Sequence, residues 1–482
     1  VDTDTAVDQP ELRRNAIGLR EMLFQSVTAM APGAAIAASI PSGAAFAGGA
    51  LPLSVLVALV ACLFAALSIA ELARHLPGAG SVATYTTRGL HPTLGFLVAW
   101  GYVFVEALVP TLLFIQLGYT VADTLHAEWN SYPDSLWWPW ALLGSVIITV
   151  VGYRGVRSSA RLGTILGAFE IIVFVALAVM LIVKAGGANT LSVFTTAHTP
   201  DAYPGITGVI AGSVYTVLAF GGFEAAAPLA EEAKLPRQTV RRAVVGATIG
   251  IGLIYILTTY AAAVFVGPDN FSAFGIEGPQ SWAGISRASF GLFWILVFLA
   301  VVNSAIANAN AGANVSTRTA FALARVGVFP RALRHVHSSF RSPTTAIWTQ
   351  FVITLVTLPL AFVFTVRDAF YLLATIVVVV IASVYIVVNA ACVGFFARVR
   401  RDEFNWLRHL VLPLLGMAAF VPALLTAAGI PVFSFVTPLT PPVSYAGIIV
   451  GVWMLLGIAY LVYLWTRHRQ RVIDTGLVEE RL

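Results

Sequence analysis

Three carboxylates stand deep inside stretches of this sequence that otherwise carry almost no charge. Glu106 lies within the apolar stretch 94–122, Glu170 within 162–183 and Glu224 within 205–230, and no Lys or Arg stands at comparable depth. A carboxylate at the centre of a bilayer costs about 2.5–3.5 kcal/mol or more, so an acid placed there is a functional candidate by default. A proton, a metal cation or the ammonium group of a substrate can relieve that cost. The chemistry on offer is therefore proton or cation handling. Each acid also has a plainer role open to it. Glu224 could cap freed backbone amides, Glu170 could be a neutral acid hydrogen-bonded to a span-8 amide, and Glu106 could bond to a neighbouring helix.

The residues around Glu224 break the helix that carries it. Phe220-Gly221-Gly222-Phe223-Glu224 interrupts the sixth apolar stretch, and Ala31-Pro32-Gly33-Ala34-Ala35 interrupts the first. Pro32 removes an amide and prevents helix continuation, and the small residues let a ligand approach the backbone closely. Each break leaves free carbonyls on one half-helix and free amides on the next. The amide end carries partial positive charge and suits a carboxylate, while the carbonyl end suits an ammonium. Two breaks in corresponding halves point to the solute site of a carrier. Phe220 and Phe223 are placed to gate such a site, or else to pack in the ordinary way. In the eighth stretch Asn303, Asn310, Asn314 and Thr317 share one helical face, with Asn308 off it. That polar stripe faces the bundle, to bond between helices or to line a cavity.

These groups need a scaffold, and composition says which kind. With 58% hydrophobic residues, 11% charged residues and a mean hydropathy of +0.85, the chain lies outside the soluble range. A crossing needs about 20 mainly apolar residues. By that length the spans run at 22–48, 52–72, 94–122, 137–154, 162–183, 205–230, 243–266, 291–314, 345–366, 369–396, 408–428 and 444–466. With the N-terminus in the cytoplasm, 25 of the 28 Lys and Arg residues fall on cytoplasmic loops and tails, leaving Lys184, Arg287 and Arg367 outside. Such loop-by-loop alternation is what the positive-inside rule demands of correctly counted spans. The basic loops thus set topology, and nucleic acid is not expected as a partner.

The fold class that follows is an all-α polytopic membrane protein of about twelve helices with spans 1 and 6 broken. The breaks lie five spans apart, which implies a five-plus-five inverted repeat. The domains read as a cytoplasmic tail 1–20, a first repeat 21–184, a second repeat 200–400, two further spans in 405–466 and a cytoplasmic tail 467–482. The polar, acidic N-terminus shows no cleavable signal. Cys62 and Cys392 both fall in apolar stretches and read as small core residues. The eight histidines lie near loops, none paired with a deep carboxylate, so an enzyme is not expected. No phosphate-binding Gly-x-x-x-x-Gly-Lys-Ser/Thr string occurs, so energy must come from gradients. A channel or receptor is disfavoured by the lack of a filter string or a soluble ligand domain.

Local strings carry a family resemblance. Glu71-Leu72-Ala73-Arg74-His75-Leu76-Pro77-Gly78-Ala79-Gly80 resembles the second-to-third-span loop of amino acid–polyamine–organocation permeases. Phe220 to Glu224, then Glu231-Glu232-Ala233-Lys234-Leu235-Pro236, resembles their broken sixth span and its exit. Thr317-Arg318 through Ala322-Leu323-Ala324-Arg325-Val326-Gly327-Val328-Phe329-Pro330 is similar to their segment after span 8. Order and spacing match from about residue 15 to 466. Departures include Ala31-Pro32-Gly33-Ala34-Ala35 in place of a more glycine-rich break, Ser81 and Ala83 for Gly and Tyr, and Val326 for Asp. The resemblance implies a LeuT-like fold of ten core spans plus two in the plasma membrane. It also implies uptake or exchange of a small-molecule amino acid or amine, with no cofactor. It places a proton-coupling carboxylate at Glu224 in some members, and a lysine where Glu170 stands here. H⁺ is favoured as the coupling ion, with Na⁺ held by Glu170 and span-1 carbonyls as the alternative. Oligomeric state is not readable.

Overall fold

The computed structural model describes residues 18–76, 81–154, 159–232, 236–275, 278–340, 342–434, 436 and 439–475. The two tails up to residue 17 and beyond 475, Pro77–Gly80 of the loop string, Arg157, Ala233-Lys234-Leu235 and Arg341 lie outside the described residues.

Twelve helical stretches are long and apolar enough to cross a membrane, and no strand occurs among the described residues. Span 1 begins as the helix Leu19–Met30, breaks at Ala31 and resumes at Pro32. Its backbone stays helical through Ala47 before the chain turns at Gly48, close to the expected end. Span 2 is Leu51–His75, span 3 Pro92–Glu128, span 4 Trp138–Arg154 and span 5 Ser159–Ala185. Span 6 is Ile206–Phe220 followed by the tighter helix Phe223–Glu232. Span 7 is Pro236–Val266, span 8 Phe293–Arg325, span 9 Thr344–Thr357 with Leu360–Val363, and span 10 Val366–Arg398. Span 11 is Leu412–Ala428, entered through a wider turn at Leu407–Val411, and span 12 is Ala446–Arg467. This is the all-helical, LeuT-like arrangement that the broken stretches imply.

Two expectations need correcting. Span 8 continues eleven residues beyond 314, because Ala313–Arg325 contains no Gly or Pro and the helix stops only before Gly327. Thr317 to Arg325 therefore belong to the span and not to the segment after it. Two segments left outside the expected spans are helices, Ser81–Gly89 and Trp282–Phe290. The Thr-rich polarity of 81–89 conceals that nearly all of it is buried against spans 3 and 10.

Packing follows side-chain size and polarity. Spans 2 and 7 lie along each other, as do spans 3 and 8, each pair five spans apart in the chain. Ala58, Ala61, Cys62, Ala65 and Ala66 on span 2 are buried, and such small residues let helix backbones approach in a membrane. Both cysteines are free and buried. Spans 5 and 12 form outer walls: Ile165, Ile172, Val179 and Val183 make one exposed apolar stripe, and Ile448, Val452, Leu455 and Val462 another. Charge separates by end of the bundle. At one end Arg367 pairs with Asp123 (2.9 Å), Arg287 with Glu128 (2.5 Å), and Lys184 reaches Ser289 O (3.5 Å). At the other, Arg241 and Arg74 approach Glu71, and Arg74 also approaches Glu403.

One of the close crossings joins Gly89 to span 10. A methyl group on Gly89 would overlap the Ala391 carbonyl oxygen. Gly89→Ala should therefore destabilise the protein by about 1–3 kcal/mol, the usual cost of over-packing. A lowered thermal-unfolding midpoint of purified protein in detergent checks this; an unchanged midpoint would contradict so close a crossing.

Candidate functional site

The interruptions expected from sequence are real and they meet. Ala31 adopts the left-handed region (φ 44°, ψ 69°), so its own amide returns to Thr28 O and the first half-helix ends there. In span 6 Gly221 is extended (φ −53°, ψ 132°) and Gly222 has φ 102°. Gly222 is doubly constrained, since a Cβ there would also lie 2.8 Å from the Ala29 carbonyl. Side chains then tie the breaks together. Ser26 Oγ donates to Phe223 O (2.7 Å) and accepts from the Ala226 N–H (3.2 Å). Tyr255 Oη, from span 7, lies 2.9 Å from Met30 O and 3.0 Å from Ala219 O. Its single proton is thus shared between the carbonyl ends of both broken helices.

Between the breaks lies a cavity whose envelope, open solvent included, holds ≈ 760 Å³ of empty space. Span 1 contributes Ala29, Met30, Ala31, Ala34, Ala35 and Ser39, and span 6 contributes Leu218, Ala219, Gly221, Gly222 and Ala225. Span 3 lends Tyr102, Glu106, Val109, Leu112, Leu113 and Gln116, while span 8 lends Asn308, Ala311, Gly312 and Val315. Phe370, Val377 and Ile381 of span 10 complete the wall. Gln116 Nε2 donates to Ala34 O (3.0 Å) and Trp282 Nε1 to Ile36 O (2.7 Å), which fixes the second half of span 1.

The three carboxylates take three positions. Glu106, half-buried, faces the cavity. Glu224 is buried behind it: Tyr385 Oη donates to Oε2 (2.8 Å) and Tyr102 Oη reaches Oε1 (3.4 Å). Tyr102 also neighbours Glu106, so one phenol stands between the two acids. Glu170 is buried on the far side of span 1, where Oε2 accepts from the Gly33 N–H (3.1 Å) and Oε1 from Asn303 Nδ2 (2.6 Å). None of the ion pairs found among the described residues involves these three acids. Nor, among the described residues, does any group of three His, Cys, Asp or Glu side chains converge as a metal site.

Several expected site residues stand elsewhere. Pro32 and Gly33 do not line the cavity, and Gly33 faces Glu170 of span 5 and Ala300 and Ser304 of span 8. Phe220 is fully buried against Tyr255 (ring centroids 5.3 Å) and Phe223 against Tyr385 (4.9 Å). Neither ring lines the cavity, and both pack behind the break. The asparagine stripe is one face, but its neighbours change along the helix. Asn303 meets Glu170, whereas Asn310 and Asn314 line a separate space of ≈ 390 Å³ with Gln350 and Thr354 of span 9. Asn308, off the stripe, lines the central cavity. Sequence reasoning missed Tyr102, Tyr255, Gln116 and Ser26, and gave Tyr385 of span 10 no particular role. The available signal was polar tips at mid-span, each of which needs a partner when buried.

Comparison with known proteins fits this architecture. Residues 22–469 match the amino acid permease family. The chain belongs to that family. Permeases of this family are transporters, not enzymes. The low-affinity putrescine importer PlaP of Escherichia coli (strain K12) is 26% identical over 305 residues, covering 62% of this chain and 65% of that protein. The branched-chain amino acid permease BcaP of Bacillus subtilis (strain 168) is 27% identical over 359 residues, covering 68% and 72%. The methylthioribose transporter of the same bacterium is 25% identical over 338 residues, covering 63% and 65%. The chain thus matches just under two thirds of the importer's length and of the methylthioribose transporter's.

The Tyr255 bridge makes a direct claim on stability. Tyr255→Phe removes the proton shared by two buried carbonyls, and a lost partner of that kind costs about 1–3 kcal/mol. The variant should unfold at a lower temperature than wild type in the same detergent. Equal midpoints would show that the phenol does not hold the two breaks.

Proposed function

We propose that this permease is a secondary active transporter of an amino acid or small amine, driven by protons and working by alternating access in the plasma membrane. Its termini face the cytoplasm. The printed activities of its relatives span both solute classes, a diamine importer and a branched-chain amino acid permease. The separation of Lys and Arg by bundle end supports the orientation.

The observation that carries proton coupling is the setting of Glu224. It stands in the first turn of the second half of span 6, with both carboxylate oxygens accepting from phenols on spans 3 and 10. Protonation removes one acceptor site and the charge that strengthens both bonds. A proton at Glu224 therefore changes how the broken span is held to two neighbours at once. That is the kind of local event able to bias a two-state helix arrangement. Glu106, joined to Glu224 through Tyr102, brings the solute site within reach of the same proton.

A second reading is exchange or Na⁺ coupling through Glu170. Its support is the buried carboxylate beside the span-1 break and the Ala300 carbonyl, which lies 2.9 Å from where a Gly33 Cβ would stand.

Uptake into proteoliposomes separates these readings. With [14C]leucine and [14C]putrescine as probes, an imposed inward proton gradient should accelerate uptake of the transported solute. Glu224→Gln, which keeps the shape but not the titration, should lose that acceleration while still exchanging internal for external solute. Acceleration that survives the substitution removes Glu224 from the coupling step. Uptake that stops when choline replaces Na⁺ would assign coupling to the cation instead.

A further inference from the structure

The cavity presents the negative ends of two helices and hides their positive ends behind the protein's own acids. The half-helices Leu19–Met30 and Ile206–Phe220 both finish at its wall, where Ala29, Met30, Leu218 and Ala219 are exposed to the space. Helix C-termini carry partial negative charge. Of their last carbonyls, Met30 O and Ala219 O share the one phenol proton of Tyr255.

Most of the amides that would greet a solute carboxylate are committed elsewhere. In span 1 Pro32 has no N–H, the Gly33 N–H donates to Glu170 on the face turned from the cavity, and the Ala35 N–H returns to Ala31 O (2.8 Å). In span 6 the carboxylate of Glu224 lies against the backbone N–H groups of Gly222 and of Glu224 itself. Glu170 and Glu224 thus fill, from within the chain, the positions a bound carboxylate would take. The one charged side chain among the described residues lining the cavity is Glu106, with the phenol of Tyr102 beside it. The rest of the wall is mostly aliphatic and aromatic, including Leu112, Leu113, Phe370 and Val377.

We propose that the solute is an organic cation, an alkylamine with an aliphatic body and no carboxylate, whose ammonium group pairs with Glu106 between the two carbonyl ends. The inference rests on the permease reading of the same cavity and narrows its solute class. A solute carboxylate placed here would meet Glu106 and two helix C-termini, with only neutral side-chain donors such as Asn308 and Ser39 to offset them. A protonated amine meets the same groups favourably, and its chain lies against the span 3 and span 10 side chains.

The test uses a matched pair, leucine and its decarboxylated counterpart 3-methylbutan-1-amine, against the purified full-length protein. Binding is read as a ligand-dependent rise in unfolding temperature. The amine should stabilise the protein and leucine should not. Glu106→Gln should raise the amine concentration at half-effect by at least about tenfold, and Glu106→Asp should recover part of that loss. Leucine binding as well as or better than the amine overturns the proposal, as does an unchanged amine response in Glu106→Gln, or no response to the amine in wild type. Proteoliposome uptake tells the two levels apart. Leucine transport with the amine ignored would sink the cation class and leave the permease standing, whereas uptake of neither probe would sink the reading on which both depend.

Discussion

Everything in this structure depends on one constraint: backbone N–H and C=O groups have no water to turn to inside a bilayer. Most of the spans answer it with helix hydrogen bonds along their length. Spans 1 and 6 do not, and their breaks survive because each serves the other. Gly222 approaches the Ala29 carbonyl so closely that no side chain fits between, Ser26 bonds the span-6 backbone in both directions, and Tyr255 covers the remaining carbonyl ends. Ala29 and Gly222, which meet at the interruptions, also line the pocket. Stability of the breaks and polarity of the site are therefore one property.

A second consequence concerns the acids. Once a half-helix begins in mid-membrane, its exposed amides need acceptors, and a carboxylate is the strongest that a side chain can offer. Glu170 meets the Gly33 amide from span 5, and Glu224 meets the amides of its own turn. Each is also gripped from another span, by Asn303 or by Tyr385. Both acids are thus wired into helix packing as well as into local capping. The plain roles weighed for them from sequence and the functional ones share the same contacts, because a cap between two spans is also a joint between them.

Much of the frame is legible in the sequence. Span number, the positions of both breaks and the depth of the three acids follow from hydropathy, from Pro32 and Gly221-Gly222, and from the scarcity of charge. What is not legible is rotation. A span that is apolar all round carries no periodic signal saying which face meets which neighbour. Gly33 and Ala34 are adjacent in the chain, yet one faces Glu170 and the other the cavity. Asn308 and Asn310 likewise part company across span 8. Phe220 and Phe223 read as gates because they flank the break, but only packing against Tyr255 and Tyr385 shows that their rings lie behind it. Tyrosines at mid-span escape notice for the same reason, since their partners come from other spans.

The departure at the first break has a physical sense that composition alone hides. Proline at position 32 fixes the start of the second half-helix and withdraws one donor from the place where an anion would bind. Alanine at 31 bears the left-handed turn without a glycine, in a conformation that is held only because the surrounding contacts over-determine it. Gln116 and Trp282 supply that hold from two directions, each bonding a carbonyl in the turns that follow. A break built this way is stiffer and poorer in donors than a glycine-rich one. It trades adaptability toward the solute for a fixed arrangement of carbonyls, and a fixed arrangement of carbonyls around one acid is a site organised for positive charge.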